Sequence, residues 1–323
     1  MNKFRKYIFL FCLINSLLFN GVKAQLMTNS NIGITISSTA QITVKGDIQN
    51  NASTTIANSG TIDLTGNWTN NAGNNNFGTS TGTVVLNGAN QSVLGSSSTV
   101  FNNLTLQGSG TKTLGLNTTV GGGNASPAGV LNVGSVVLNL NSKTLSVTNS
   151  ATNAVQSTTG YILSEATDNS SMVKWSINST TGIHTVPFGN AAAVLIPLTY
   201  NLASGNAGDV SMSTYPSNAA NLPMPTAPIA VTHIRDAGGA NNSANMPDRY
   251  WEIDMTGSTA IANYTFTYAP AENASNGNTN TRIQHWYAPF AAWEAPLTGQ
   301  LNPTAQSIYV PAASVSEIGR AHV

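Results

Sequence analysis

Apolar and polar residues alternate in an eleven-residue pattern that occurs twice near the start of the chain, twenty positions apart. The matching positions are Ile42, Val44, Gly46, Asp47, Ile48, Asn50, Asn51 and Ala52, which recur as Ile62, Leu64, Gly66, Asn67, Trp68, Asn70, Asn71 and Ala72. Ile42 and Val44 alternate with polar residues, so each copy predicts a short strand with one buried face. The Gly46-Asp47 pair predicts a sharp turn, because both residue types tolerate positive φ. A repeat of this length predicts stacked units that cannot bury their apolar faces alone.

The same spacing continues with less regularity as far as Ser150 and predicts about six coils of 20–22 residues. Val84 lies 22 residues after Ile62, and Leu104 lies 20 residues after Val84. A parallel β-helix with three short strands per coil and an antiparallel meander of hairpins both fit this period. The pair Asn87-Gly88 lies at the corner of a repeat, not between two long strands, which favours the β-helix. In such a coil the corner asparagines would stack and hydrogen-bond from one coil to the next.

A second type of pattern begins near Asn153, where aromatic residues, prolines and carboxylates become more frequent and the twenty-residue period ends. Short alternating strands are predicted at Tyr161–Glu165, Met172–Ile177, Val194–Leu202, Val210–Tyr215, Ile229–Arg235, Arg249–Met255, Ile261–Tyr268 and Arg282–Tyr287. Short strands separated by Gly, Pro and Asn clusters predict an antiparallel β-sandwich. The chain is therefore predicted to be all-β, with a parallel β-helix-like repeat domain over residues 25–152 and a β-sandwich module over residues 153–316.

The two ends of the chain are predicted to lie outside these domains. Residues 1–24 have the basic start, apolar run and small-residue cleavage site of an export signal peptide. The apolar run is shorter than the roughly 20 residues that a membrane-spanning helix needs. Residues 317–323 resemble the in-frame translation of a common sequencing adapter and are expected to be a non-native tail, so that the natural chain continues beyond Ser316.

Composition restricts the partners and the chemistry. Between Gln25 and Ser316 there are 7 basic and 11 acidic residues, a net charge of −4, which argues against nucleic acid and anionic membrane as partners. The only cysteine, Cys12, lies in the predicted signal peptide, so the exported chain would have no disulfide. Residues 25–150 contain no Arg, His or Glu, so the repeats lack the paired carboxylates or bases that polysaccharide-cleaving enzymes use. The first half is therefore predicted to be a scaffold.

Four sequence features resemble one family of proteins. They are Gly160-Tyr-Ile-Leu-Ser-Glu165, Val186-Pro-Phe-Gly189, Asp248-Arg-Tyr-Trp-Glu-Ile-Asp254 and the late Trp286. Together they resemble a module of large secreted surface proteins of Bacteroidetes-type bacteria, and the Asn-rich repeat resembles the segment that often precedes it. The resemblance implies a protein of the type IX secretion class, exposed outside the outer membrane and dependent on that secretion machinery for export. Such proteins typically end in a sorting domain, which would lie beyond a truncated C-terminus here.

Two groups of side chains in the second half are candidates for ligand binding. Asp248, Glu252 and Asp254 offer the oxygen ligands that calcium prefers, and calcium is the one cofactor they suggest. Glu252 and Asp254 would lie about 7 Å apart on one strand face, a separation also compatible with a glycosidase pair. We expect instead a solvated polar face opposite Trp251, with Arg249 on the Trp251 side beside a buried charge partner.

An aromatic cluster forms the second candidate site. Sugars stack on exposed aromatic rings, so Trp286, Tyr287 and Trp293, with Phe290 between them, are candidate glycan ligands. Core packing is the more common role for tryptophan in a sandwich. No motif for nucleophilic catalysis or phosphate binding occurs in the sequence, so no catalytic residue is predicted.

These patterns predict a non-enzymatic secreted or cell-surface protein. Its β-helical stalk would display a β-sandwich for adhesion, with an extracellular glycan or matrix component as partner. The alternative is a carbohydrate-binding or carbohydrate-active protein whose catalytic or sorting domain lies outside this sequence.

Overall fold

The computed structural model describes residues 25–51, 54–73, 77, 80–122, 128–168, 170–226, 230–235, 239–273, 281–287, 290–314 and 321–322. The predicted export signal, residues 1–24, lies outside this set, as does most of the predicted C-terminal tail.

The described chain is almost entirely β-structure. The first strands are β1 (Gln25–Asn29), β2 (Ile34–Ile36), β3 (Gln41–Val44), β4 (Gly46–Asn50), β5 (Ile56–Asn58), β6 (Thr61–Leu64), β7 (Trp68–Asn70), β8 (Thr83–Leu86), β9 (Gln91–Gly95) and β10 (Thr99–Phe101). They are followed by β11 (Asn103–Leu106), β12 (Thr111–Leu114), β13 (Thr118–Val120), β14 (Leu131–Asn132), β15 (Val137–Asn139), β16 (Thr144–Val147), β17 (Val155–Gln156), β18 (Tyr161–Leu163) and β19 (Met172–Ser176). The remaining strands are β20 (Gly182–Val186), β21 (Phe188–Gly189), β22 (Leu198–Ser204), β23 (Asp209–Pro216), β24 (Arg249–Met255), β25 (Ile261–Thr267), β26 (Gln284–Tyr287), β27 (Ala292–Trp293), β28 (Ser307–Ser314) and β29 (Ala321–His322).

The first part of the chain winds into a parallel β-solenoid of about 7 turns. The short strands of the turns lie on three faces. Face 1 has the order β1-β4-β7-β9-β12-β15-β18-β21, and face 2 has the order β3-β6-β8-β11-β14-β17. Face 3 consists of the pair β2-β5 and then of β10-β13-β16-β19. Every pairing within these orders is parallel, so the β-helix prediction is confirmed and the meander is wrong.

The register follows the sequence repeat at first and then lengthens. Ile42 pairs with Ile62 and Ile62 with Val84, as the periodicity predicts. Leu104 pairs with Leu131, 27 positions on, so this turn is longer than the sequence repeat. The parallel pairing also continues past residue 152, since β18 pairs with β15 and with β21. The ladder is therefore continuous across the change in composition near Asn153.

Tight corners and side-chain amides shape each coil. A Cβ atom built on Gly66 would collide with Asp47 and with the backbone of Gly46, so close approach of successive coils requires glycine. Neither Gly46 nor Gly66 has a positive φ. The prediction that these glycines are needed for a left-handed backbone conformation is therefore wrong. The predicted amide stacking is confirmed, because Asn29 donates to Asn50 Oδ1 at 2.8 Å. In the outer row, Asn71 donates to Asn51 Oδ1 at 3.2 Å.

The solenoid interior is mainly apolar, and among its described residues Lys112 is a buried charged side chain. Trp68 stacks on Phe77 with ring centroids 5.1 Å apart, and Phe101 lies 5.6 Å from both rings. Lys112 points inward at 1 % exposure. Its Nζ donates to the carbonyl oxygens of Gly88 and Ala89, each at 2.7 Å. Burial lowers the pKa of Lys112 to about 8.

At β19 the sheet changes from parallel to antiparallel. β19 pairs in parallel with β16 and antiparallel with β23, and the sheet then continues in the order β24-β29-β26-β27. A separate antiparallel sheet has the order β20-β22-β25-β28. Most of the predicted strands of the second half are confirmed in position. The predicted strand at 229–235 is wrong over its described residues, where only an isolated bridge from Arg235 to Asn241 occurs.

Ser243–Asn245 and Pro270–Asn273 form two short 3-10 turns. Within the described residues, no helix has the length and hydropathy needed to cross a membrane. Two residues of the predicted tail form β29, which lies between β24 and β26.

Candidate functional site

The predicted buried charge of Arg249 lies at the centre of an ion cluster. Arg249 begins β24 and is fully buried. Its Nε and Nη2 donate to the two carboxylate oxygens of Glu272 at 2.9 and 2.7 Å. Nη2 also donates to Glu165 at 3.0 Å, and Nη1 donates to the hydroxyl of Thr214 at 3.0 Å. The guanidinium thus has partners on all three of its nitrogens, in the fork geometry that suits carboxylates.

The carboxylates of this cluster are held by main-chain groups as well. Glu165 Oε2 accepts from the amide of Ala191 at 3.1 Å, and Glu272 Oε2 accepts from the amide of Ala269 at 2.8 Å. Glu165 ends the first resembling motif and Arg249 lies in the third, so the fold brings together two motifs whose contacting residues are 84 positions apart. The cluster connects the corner after β18 to β24 and to the 3-10 turn at 270–273. We call Arg249, Glu165, Glu272 and Thr214 the clamp, because their hydrogen bonds hold these segments together.

Asp248 is a half-buried carboxylate next to the carboxylate of Glu272, and its surroundings change its pKa. Burial, followed by the charge of Glu272, raises the pKa of Asp248 above its usual range. Its backbone N–H donates to the carbonyl oxygen of Glu272 at 2.6 Å. This half-buried carboxylate therefore lies at the edge of the clamp and adds negative charge to it.

The three predicted calcium ligands lie in different environments. Glu252 is 3 % exposed and accepts a hydrogen bond from Ser213 at 3.1 Å, whereas Asp254 is exposed. The expectation of a solvated face is therefore confirmed for Asp254 and wrong for Glu252. Among the described residues, no three His, Cys, Asp or Glu side chains are grouped in a way that could hold a metal ion.

The aromatic cluster divides into a buried and an exposed part. Trp286 is 2 % exposed and packs edge-on against Trp293, with ring centroids 5.2 Å apart. Trp293 is half-buried and donates from Nε1 to the carbonyl oxygen of His233 at 2.8 Å. Phe290 is 78 % exposed and lies 5.2 Å from the half-buried ring of Tyr287. A ligand arriving from solvent would therefore meet Phe290 and Tyr287, while Trp286 belongs to the interior.

A polar pair borders the exposed rings. His285 Nδ1 lies 2.8 Å from Glu294 Oε2, and the His285 ring lies 6.4 Å from Tyr287. Aromatic faces beside polar groups are typical of sites that bind sugars. The strand turn β26–β27 positions this set, because Trp286 pairs with Trp293 across it.

The sequence did not predict the surroundings of the two buried cationic side chains, Arg249 and Lys112. The partners of Arg249 were not identifiable, because Glu165 and Glu272 lie 84 and 23 positions away in the chain. The inward position of Lys112 had a usable signal, since it shares the alternation phase of Leu114 in β12. The comparisons give no further guide: no family model, no curated protein and no solved structure matches this chain.

Proposed function

We propose that this chain is a non-enzymatic secreted or cell-surface protein, in which the β-solenoid is a stalk that displays an antiparallel β-sandwich for adhesion. The observation that carries this proposal is the continuity of the core. One cluster of buried apolar side chains includes Ile36 in the second strand of the solenoid and Val310 in β28. A module joined to a rod through a shared core is held at a fixed distance and orientation, which suits display.

The sandwich is part of the proposal and rests on contacts between two antiparallel sheets. Trp251 of β24 packs edge-on against Phe266 of β25, with centroids 5.6 Å apart. The hydroxyl of Tyr200 in β22 lies 3.3 Å from the sulfur of Met255 in β24. Apolar faces that meet in this way are typical of sandwich cores.

The use of the buried charges favours a structural role over a catalytic one. All three guanidinium nitrogens of Arg249 donate to acceptors of the protein, and Lys112 Nζ donates to two main-chain carbonyl oxygens. Glu252 is bonded to Ser213, and Lys174 at the surface pairs with Asp209 at 2.8 Å. Side chains occupied in this way stabilise the fold, whereas catalytic groups need access to a substrate.

The test is a parallel assay of binding and hydrolysis with the purified full chain. We expect binding to immobilised extracellular matrix components or glycans, and no release of sugar from soluble polysaccharides. Glu252→Gln is the matched variant, because it removes the charge of the one glycosidase-type carboxylate that is buried. Polysaccharide hydrolysis that disappears in Glu252→Gln would contradict the proposal.

A glycan ligand is the second candidate function, and the exposed rings of Tyr287 and Phe290 favour it. The experiment is a glycan-array screen of the full chain, followed by Tyr287→Ala and Phe290→Ala. Leu195→Ala is the control, because Leu195 is another exposed apolar residue, at 46 % exposure. Loss of binding in both ring variants, with binding retained in the control, would support this function. Equal binding by all three variants would exclude these rings as the glycan site.

A further inference from the structure

Among the residues that the structure describes, no strand pairs with the outer side of the first coil of the solenoid, residues 25–44. β1, β2 and β3 are terminal in their sheet orders, and each pairs only with its counterpart in the second coil among the residues that the structure describes. At the opposite end, face 3 continues from β19 into the antiparallel strand β23. In the first coil, the strands of all three faces lack a described neighbour on the outer side.

The inward-facing apolar side chains of the first coil are more exposed than their partners in the second coil. Met27, Ile34 and Ile42 face the core but are only partly buried. Their partners one coil further on, Ile48, Ile56 and Ile62, have exposures of 1, 1 and 2 %. Nearby, Leu26 and Ile32 are 60 and 65 % exposed. Apolar interior surface thus reaches solvent at this end, which repeat proteins usually cover with a polar cap.

The main chain of β1 also has hydrogen-bonding groups directed outward. Gln25 donates its amide to the carbonyl oxygen of Lys45, and Asn29 accepts from the amide of Asn51. Because strand residues direct their main-chain groups to alternate sides, the amides of Leu26 and Thr28 point to the open side. An open strand edge of this kind is a template for pairing with another strand.

Nothing in the first coil prevents such pairing. Residues 25–44 contain no Lys, Arg, Asp, Glu or Pro. Natural edge strands are usually protected by charged side chains, prolines or bulges. A neutral surface also meets its own copy without repulsion, as a two-fold symmetric interface requires. The coil offers about 20 residues, which approaches the roughly 20–30 residues that each partner contributes to a stable interface.

We infer that the first coil is a dimer interface, at which two copies of this chain stack end to end through a two-fold axis. With the axis passing through face 1, β1 meets β1 of the partner in antiparallel orientation and continues the sheet. The displayed modules then lie at opposite ends of a double-length rod. Cleavage after Ala24, as the sequence predicts, would place Gln25 of β1 at the start of the exported chain and leave this end free to pair.

The experiment is sedimentation velocity of the full chain, purified from an exporting host, with its N-terminus identified by mass spectrometry. We expect a dimer that starts at Gln25. Thr28→Pro removes an outward amide, and Leu26→Lys adds a charge to the edge; both variants are expected to sediment as monomers. Leu94→Lys is the matched control, because Leu94 is an exposed leucine on face 1 in an interior coil, and it should remain dimeric.

Circular dichroism and thermal melts of each variant distinguish a lost interface from a lost fold. The proposal requires native spectra and a cooperative melt in the monomeric variants, with a midpoint that no longer depends on protein concentration. It is overturned by a processed wild-type chain that is monomeric at all concentrations, or by a dimer that persists in both edge variants. It is also overturned by a monomer that retains residues 1–24, because that segment would then be the cover. These outcomes are independent of glycan or matrix binding.

Discussion

At the scale of single residues, the buried guanidinium of Arg249 determines how the solenoid and the antiparallel sheets meet. Its Nη2 atom contacts both Glu165, which lies in the corner after β18, and Glu272, which lies in the turn after β25. A buried ion pair is costly to assemble from water, so its main effect is on specificity and on the penalty for removing one partner.

Replacing Arg249 by methionine should destabilise the protein by about 3–5 kcal/mol, because two carboxylates remain buried without a cation. Arg249→Lys should recover only part of this loss, since an ammonium cannot bond both carboxylates in the same fork geometry. Urea denaturation measures the difference. Arg235→Met is the control, because Arg235 is exposed and its loss should be nearly neutral. A neutral Arg249→Met variant would show that the clamp has no stabilising role.

Lys112 predicts a pH dependence of stability. Its pKa in the folded protein is about 8, against an ordinary value of 10.5. Between these values the unfolded chain binds the proton that the folded chain has released, so the lysine's contribution to folding stability rises with pH across this window. The stability of wild type minus that of Lys112→Met should therefore increase from pH 8 to pH 10.5.

Urea titrations across that pH range test the sign. The same substitution at Lys45, which is exposed, is the control and should leave the pH profile of stability unchanged. A difference between wild type and Lys112→Met that falls as the pH rises would contradict the assigned direction.

At the scale of elements, the corners of the solenoid carry the strictest requirements. The strands tolerate many apolar residues because only inward alternation matters, as the exchange of Ile48 for Trp68 in paired positions shows. The corner glycines Gly46 and Gly66 tolerate no larger residue, because the neighbouring coil leaves no room for a Cβ atom. The strands could be predicted from the alternation of apolar and polar residues, and the stacking of the coils from the twenty-residue repeat.

Gly66→Ala should destabilise the solenoid by about 1–3 kcal/mol, which is typical of overpacking. Gly33→Ala is the matched control, because a Cβ atom there would make only an ordinary contact of 3.7 Å with Thr55. Thermal midpoints measured by circular dichroism compare the two. Equal midpoints would mean that neighbouring coils can move apart at negligible cost.

At the scale of the whole molecule, the parallel and antiparallel parts share strands and core. Trp175, on the strand where the pairing changes direction, donates to the carbonyl oxygen of Asn149 at 2.8 Å. His184 of β20 packs edge-on against the Trp175 ring and lies 3.0 Å from the carbonyl oxygen of Ser150. These contacts join the four-stranded sheet to the solenoid at several points.

We therefore expect a single cooperative unfolding transition. Leu104→Ala, deep in the solenoid, should lower stability by about 2–5 kcal/mol and should lower it for both parts together. Hydrogen exchange read by mass spectrometry measures this, because opening of 198–204 should become as frequent as opening of 103–106. Unchanged protection at 198–204 would show that the two parts unfold independently.

The sequence by itself determined most of the strand positions, the stacking of the coils and the placement of Arg249 on a buried face, and it favoured parallel pairing. The strand positions and the face of Arg249 follow from alternation within a few neighbouring residues, and the stacking follows from the twenty-residue repeat. The tertiary structure alone decided that the ladder passes residue 152, that Glu165 and Glu272 hold Arg249, and that Trp286 is interior while Phe290 is exposed. Those outcomes depend on which distant strands and turns pack together, and the energy of such contacts is shared among residues far apart in the chain.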